Sequence, residues 1–268
     1  QKILRTGLTS FTRTAFAFDE DSENVYQPYY KFAAAGVTLT ASGSTGSVTV
    51  TSSADHFNAN YVGTYIRIED TTLEITAFTS ATQVTATVEG TLRKQLITDP
   101  FRTENGTKTI TVSDPLHGLS NGASVTFSGS NSIEGINASD INGSKTITVL
   151  NDDEYTFTAG GTNNANNTAA GGGTGVFITS SGQANSRWEE QVYSAVRGYP
   201  ASSTFHDGRL WFGGTSSLPD WVWASKVDEY FNFDVGDAED SDSIQSSIGA
   251  SQVADIRHLT SNRHLLIF

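Results

Sequence analysis

The chain has 268 residues and sets 16 Lys and Arg against 29 Asp and Glu, a net charge of −13. Such an excess of carboxylates argues against attraction to nucleic-acid phosphates or anionic lipid. Cys is absent, which removes disulfides and thiolate metal sites. No apolar run approaches the ~20 residues of a spanning helix, so stable membrane insertion is not expected. The chain opens on Gln1, contains no Met, and stops inside the apolar stretch from His264 to Phe268, so a longer parent protein is expected. No secretory leader pattern is visible at its start.

Four regions follow in chain order. In residues 1–36, Thr, Phe and Arg alternate with period 2 from Leu8 to Phe16, which predicts a strand. An acidic turn (19–24) and an aromatic segment (26–32) come next. Residues 37–97 contain five runs rich in β-branched residues, at 37–41, 47–51, 65–69, 73–78 and 83–88, with Gly-rich or acidic loops between them. This spacing predicts a small β-barrel or sandwich.

Residues 98–180 read as a second module of the same kind, with strands at 107–112, 124–128, 145–150, 155–159 and 175–179. Ile141-Asn142-Gly143-Ser144 is a hairpin signal. Residues 160–175, almost wholly Gly, Asn, Thr and Ala, predict a flexible loop.

Residues 181–268 hold all four Trp residues. Segment 188–195 reads as a short helical turn or an approach strand. Strands at 203–205 and 209–212 flank His206-Asp207-Gly208, Gly213-Gly214 ends the second, and a third spans 221–225. A further pair is expected at 253–258 and 264–268. Strand–turn–strand–loop–strand is the pattern of a β-propeller blade. The predicted class is therefore all-β, a partial propeller segment carrying two inserted small barrel or sandwich modules.

The carboxylates Asp234, Asp237, Glu239, Asp240 and Asp242 are the candidate cation ligands, since calcium takes six to eight oxygens. They lack the loop pattern of an EF-hand, and a solvated acidic loop is the simpler reading; no metal or cofactor is expected. No serine elbow, zinc-helix motif or phosphate loop occurs, and no pair of carboxylates is singled out for hydrolysis. His56, His117, His206, His258 and His264 are scattered, and His206 sits beside Asp207 in a turn. The expectation is a protein that is not an enzyme. Trp211, Trp221, Trp223, Tyr230, Phe231 and Phe233 read as packing or as a sugar-stacking platform. Alternation favours packing, because Leu210 and Phe212 share one strand face and Trp211 takes the other. Arg209 is expected to pair with a carboxylate.

Three motifs carry a family resemblance. They are the turn Gly198-Tyr199-Pro200, the run from Phe205 to Thr215 (Phe205, His206, Arg209, Leu210, Trp211, Gly213, Gly214), and the run Trp223, Ser225, Lys226, Tyr230, Phe231, Asn232, Phe233. Upstream, Tyr26-Gln27-Pro28-Tyr29-Tyr30-Lys31-Phe32 completes the pattern, and the acidic stretch 234–242 follows it. In order and spacing they resemble the tail nozzle, or tail tubular protein B, family of short-tailed bacteriophages. Residues 57–68, and residues 121–129 followed by 136–143, are similar to β-modules of phage structural proteins. The resemblance implies a virion protein assembled as a ring, typically of six copies, below portal and adaptor proteins and near tail fibres. Phage DNA would pass through its channel without specific binding, and an acidic wall would repel the phosphates. A β-rich adhesin that binds a receptor or carbohydrate is the alternative.

Overall fold

The computed structural model describes residues 2–179, 181–236, 239–249 and 255–268. They are almost entirely antiparallel β-structure, and no closed barrel forms among them. The chain divides into two compact units, one of residues 1–21, 25–30 and 191–268, the other of 22–24 and 31–190.

The second unit contains two layered arrangements. In the first, the sheet order is Trp188–Gln191, Tyr65–Ile68, Thr71–Ser80, Gln83–Val88, Gly46–Ser52, Leu39–Ala41. Alternation decides its faces: Val84, Ala86 and Val88 are buried while the residues between them are partly exposed. The register sets Val50 opposite Val84 and Val48 opposite Ala86, so the apolar positions of neighbouring strands meet on one side. Strand Thr71–Ser80 shifts register at Ile75/Ala77 and again at Phe78/Ser80, where bulges raise its twist.

The second arrangement is a sandwich. One sheet runs Thr148–Val149, Glu154–Thr158, Thr109–Ser113, Phe101–Thr103, Ala170–Gly171; the other runs Gly143–Thr146, Ser124–Ser128, Phe177–Thr179, Lys94–Gln95. A single core fills the space between them, with Phe101, Ile110, Tyr155 and Phe157 from one side and Val125, Phe127 and Ile178 from the other. The Phe127 ring stacks on Phe157 at 4.7 Å and meets Phe101 edge-on at 5.6 Å.

Several local expectations change here. The run 145–150 is not one strand: it breaks at Ile147, which is 1% exposed. Residues 143–146 pair with Ser124–Ser128, whereas 148–149 pair with Glu154–Thr158. The chain thus crosses from one sheet to the other, with Ile147 plugged into the core at the corner. Asn142-Gly143 is not a hairpin turn. It ends the helical turn Ala138–Ile141, and Gly143 supplies a φ of 91° as the next strand opens. Lys94–Gln95, grouped by sequence with the first module, pairs with Phe177–Thr179 of the second.

Residues 160–175 fold back onto the sandwich instead of forming a free loop. Ala165 is buried, its carbonyl accepts from the Gly106 amide, and its own amide donates to the Thr107 carbonyl. Thr103 Oγ1 donates to the Asn167 carbonyl at 2.9 Å. Composition suggested disorder because it cannot register these backbone contacts.

In the first unit, Ser202–His206, Arg209–Gly213, Trp221–Ala224 and Ile244–Ser247 form a sequential four-stranded meander. Residues 8–16 are not a single strand; Lys2–Arg5 pairs with Phe11–Thr14 across a turn. The strand expected at 253–258 lies partly outside the described residues, and 255–258 are irregular. The final hairpin is instead Leu259–Ser261 with Leu265–Ile267. Segment 188–195 begins with a strand, Trp188–Gln191, not a helical turn.

Candidate functional site

The block from Gly198 to Asp242 was the sequence's densest set of chemistry-bearing residues, and the meander organises it. Asp207 and Gly208 take φ of 46° and 69°, the pair of positive values that a two-residue hairpin turn needs. This turn orients His206, whose Nδ1 lies 3.0 Å from Ser261 Oγ and whose Nε2 lies 3.3 Å from the Asp207 carboxylate. Asp207 itself is largely solvent-exposed, so the His206 ring is held by a turn and a neighbouring hairpin.

The two faces of the meander have different partners. Phe212 stands opposite Trp223. On their face Phe212 stacks on Phe233 at 5.3 Å and meets Tyr193 and Phe16 edge-on at 5.5 and 5.7 Å. Trp223 meets Tyr193 at 5.4 Å, and Trp221 packs on Tyr30 at 5.1 Å. On the opposite face Trp211 lies against Val222, Ile256 and Leu259. Gly213 is required there, because a Cβ would sit 2.8 Å from Ile256 Cγ2 and 3.1 Å from Leu259. Gly214 has a φ of 59°, and a Cβ there would lie 3.0 Å from the carbonyl oxygens of Ile256 and Pro219. Leu210 is buried; Phe205, on the edge strand, is 61% exposed and touches Tyr230 at 5.1 Å. Phe231 contacts Phe16 at 5.5 Å and carries Lys2 Nζ over its ring at 4.2 Å.

Gly198 closes a tight bridge with Ser194, each amide donating to the other's carbonyl at 2.8–3.0 Å. Its φ is 93°, and a Cβ would lie 2.9 Å from the Ser216 amide nitrogen. Tyr199 then points to solvent, and Pro200 leads into the first strand of the meander.

Among the described residues Arg209 pairs with no carboxylate. It is 7% exposed, and its guanidinium donates to three carbonyls, those of Ser225 at 2.6 Å and of Asp240 and Asp242. Five donors in a fixed fork suit that task. Ser225 Oγ accepts from the Leu210 amide at 3.0 Å and donates to the Lys226 carbonyl at 2.9 Å. The acidic loop is thereby anchored by its backbone.

Its side chains meet a lysine. Lys226 Nζ lies 3.1 Å from Asp242 and 3.4 Å from Asp234. Burial pulls the Lys226 amine down, but hydrogen bonds and attraction from Asp242 and Asp234 outweigh it and hold the amine above its ordinary range. Asp242 also accepts from the Glu239 amide at 2.9 Å. The Glu239 and Asp240 side chains are exposed, and Asp237 lies outside the described residues. Among the described residues no three His, Asp or Glu side chains converge as a metal-ligand group.

Sequence reasoning missed Phe16, Phe18 and Tyr193, which complete the aromatic face. Phe18 meets Phe233 at 5.5 Å and stacks near Tyr193 at 6.3 Å. The alternation placed Phe16 in a strand of residues 8–16, but the strand ends at Thr14 and leaves Phe16 and Phe18 beyond it. Among the described residues, the Tyr193 hydroxyl and Trp223 Nε1 are buried without a hydrogen-bond partner. Burial alone pushes the Tyr193 hydroxyl well above the usual tyrosine range.

The other unit holds two buried charged clusters that no motif announced. Glu190, 2% exposed, accepts from the Tyr61 hydroxyl at 2.9 Å and faces His56 Nε2 at 2.9 Å. Lys94 pairs with Asp114, which also accepts from the Tyr155 hydroxyl at 3.4 Å. Both are enclosed by core residues, so they fix packing and expose no reactive group.

No family model matches the chain, and no curated protein matches it. Among solved structures, a phage phi92 endosialidase aligns over 84% of this chain and 32% of its own, at 14% identity and a TM-score of 0.27. The chain thus spans about a third of that protein's length, and a likeness of this size carries no argument about function.

Proposed function

We propose that the chain is a structural protein of a short-tailed phage virion, part of a tail nozzle that assembles as a ring around the genome-exit channel. One observation carries the reading. Motif residues that resemble the nozzle family serve packing: Gly198 and Gly213 permit close backbone approach, Arg209 anchors a loop, and the rings of Phe212, Trp223 and Phe233 share one face, while Tyr199 and Phe205 stay exposed. A scaffold needs such residues and needs no reactive group. The meander has the strand order of one propeller blade. An acidic channel wall would let DNA slide without adhering. No catalytic step is assigned to the chain. Cryo-electron microscopy of purified virions tests the reading: density for this fold in a ring below the portal supports it, and density at a fibre tip overturns it.

The open cleft of the sandwich favours a second reading. Asn105, Thr162, Asn163, Asn164 and Asn166 line it with exposed amides and a hydroxyl, which suit the hydroxyls of a carbohydrate. A glycan array on which the chain binds a sugar, and on which Asn163→Ala and Asn164→Ala lose it, supports an adhesin.

A further inference from the structure

We infer that the hairpin of residues 2–14 docks onto the acidic surface of residues 227–236 and 239–240 of a second copy of this chain, resting on the assembly proposed above. Its two strands form a sheet of their own, and an isolated two-stranded hairpin is marginal in water. Ile3 stands opposite Arg13, and Arg5 opposite Phe11. Residues two apart on a strand share a face, so one side presents two apolar side chains and two guanidiniums in a chequerboard. Ile3 is 71% exposed, Phe11 65%, and Leu8 at the tip 88%. The Arg5 guanidinium braces the tip by donating to the Gly7 and Leu8 carbonyls at 2.9 Å. Among the described residues neither Arg5 nor Arg13 meets a carboxylate.

Charge selects the occupant. Residues 1–18 contain Lys2, Arg5 and Arg13 and no Asp or Glu, so with −13 overall the remainder carries −16. The complementary surface must mix carboxylates with apolar groups, and the first unit exposes one. Val227, Tyr230 and Val235 are 36–42% exposed beside the acidic Asp228, Glu239 and Asp240. The Val227 amide donates to the Ser241 carbonyl at 3.0 Å, which holds the two stretches together. Three cations would give only a weak, salt-sensitive hold on DNA, and phosphates offer nothing to Ile3, Leu8 and Phe11. An anionic membrane would repel the acidic remainder. Lys2, on the other face of the hairpin, lies over Phe231 of its own chain, so the exposed Ile3–Arg13 face makes the contact, which is head-to-tail and closes into a ring when the rotation permits.

A charge swap tests this. One variant carries Arg5→Glu and Arg13→Glu; the other carries Asp228→Lys and Asp240→Lys. All four sites are exposed, and far-UV circular dichroism checks that both variants fold. In sedimentation velocity at about 0.05 M salt, where screening is weak, the unmodified chain self-associates. Each variant alone associates about tenfold more weakly or less, and an equimolar mixture of the two recovers association. A chain that stays monomeric, or variants that associate like the parent, overturns the contact. So does a monomer whose hairpin binds duplex DNA or phosphatidylserine vesicles. Closed rings indifferent to the swap would remove this contact and leave the nozzle reading standing. Swap-dependent open chains that never close would do the reverse.

Discussion

Arg209 shows how one side chain can fix a loop whose own charges repel. Its guanidinium holds the carbonyls of Ser225, Asp240 and Asp242, and Lys226 then meets two of the loop's carboxylates. Arg209→Leu strands those carbonyls and is expected to cost about 2–4 kcal/mol in urea denaturation. Tyr193→Phe removes a hydroxyl that has no partner among the described residues and is expected to leave stability unchanged or raise it by about 1 kcal/mol. A large loss at Tyr193 would mean that its hydroxyl is bonded. Tyr26 carries a pH signature. Its hydroxyl donates to Asp21, and that bond, with burial and the charges of Asp21 and Asp234, pushes it up to about 12 from 10.0. The unfolded chain ionises first, so the contribution is complete below pH 10 and fades as pH rises toward 12. Thermal melts of Tyr26→Phe and the parent should therefore differ by a constant amount below pH 10 and converge above it.

At the scale of elements, glycine sets how closely strands and loops approach. Gly213 has an ordinary backbone conformation, so Gly213→Ala tests sterics against Ile256 and Leu259 alone, and about 1–3 kcal/mol is expected. Gly198→Ala adds the strain of a φ of 93° to a clash with a backbone amide and should cost more. Equal losses in thermal unfolding would refute that ranking. The strands themselves were largely visible in sequence: 83–88 and 124–128 occur as alternation predicts, because one buried face imposes period 2. Ile147 marks where that reasoning fails. A strand that changes sheets keeps its alternation, so periodicity cannot register the corner.

Across the whole molecule, contacts sort residues 31–190 apart from most of the rest. Residues 31–190 expressed alone should give a β-sheet circular dichroism spectrum and cooperative thermal unfolding, since the core of the sandwich and most of the neighbouring sheet lie within them. A spectrum of disordered chain would show that the unit depends on the flanking residues. Long-range pairing also explains why the aromatic face was only half legible. Phe212, Trp223 and Phe233 lie close together in the sequence, whereas Phe16, Phe18 and Tyr193 reach them from farther away.

By itself the sequence determined the all-β class, most strand positions, the His206–Gly208 turn and the packing role of the aromatic residues. Each follows from local chemistry: side-chain alternation, positive-φ tolerance and β-branching act within a few residues. Only the tertiary structure decided that Arg209 holds carbonyls, that Lys226 sits among the acids, that residues 160–175 pack down, and that the 2–14 hairpin stands exposed. Those outcomes depend on groups up to several tens of residues away, whose approach is set by the burial of whole sheets and leaves no trace in local pattern.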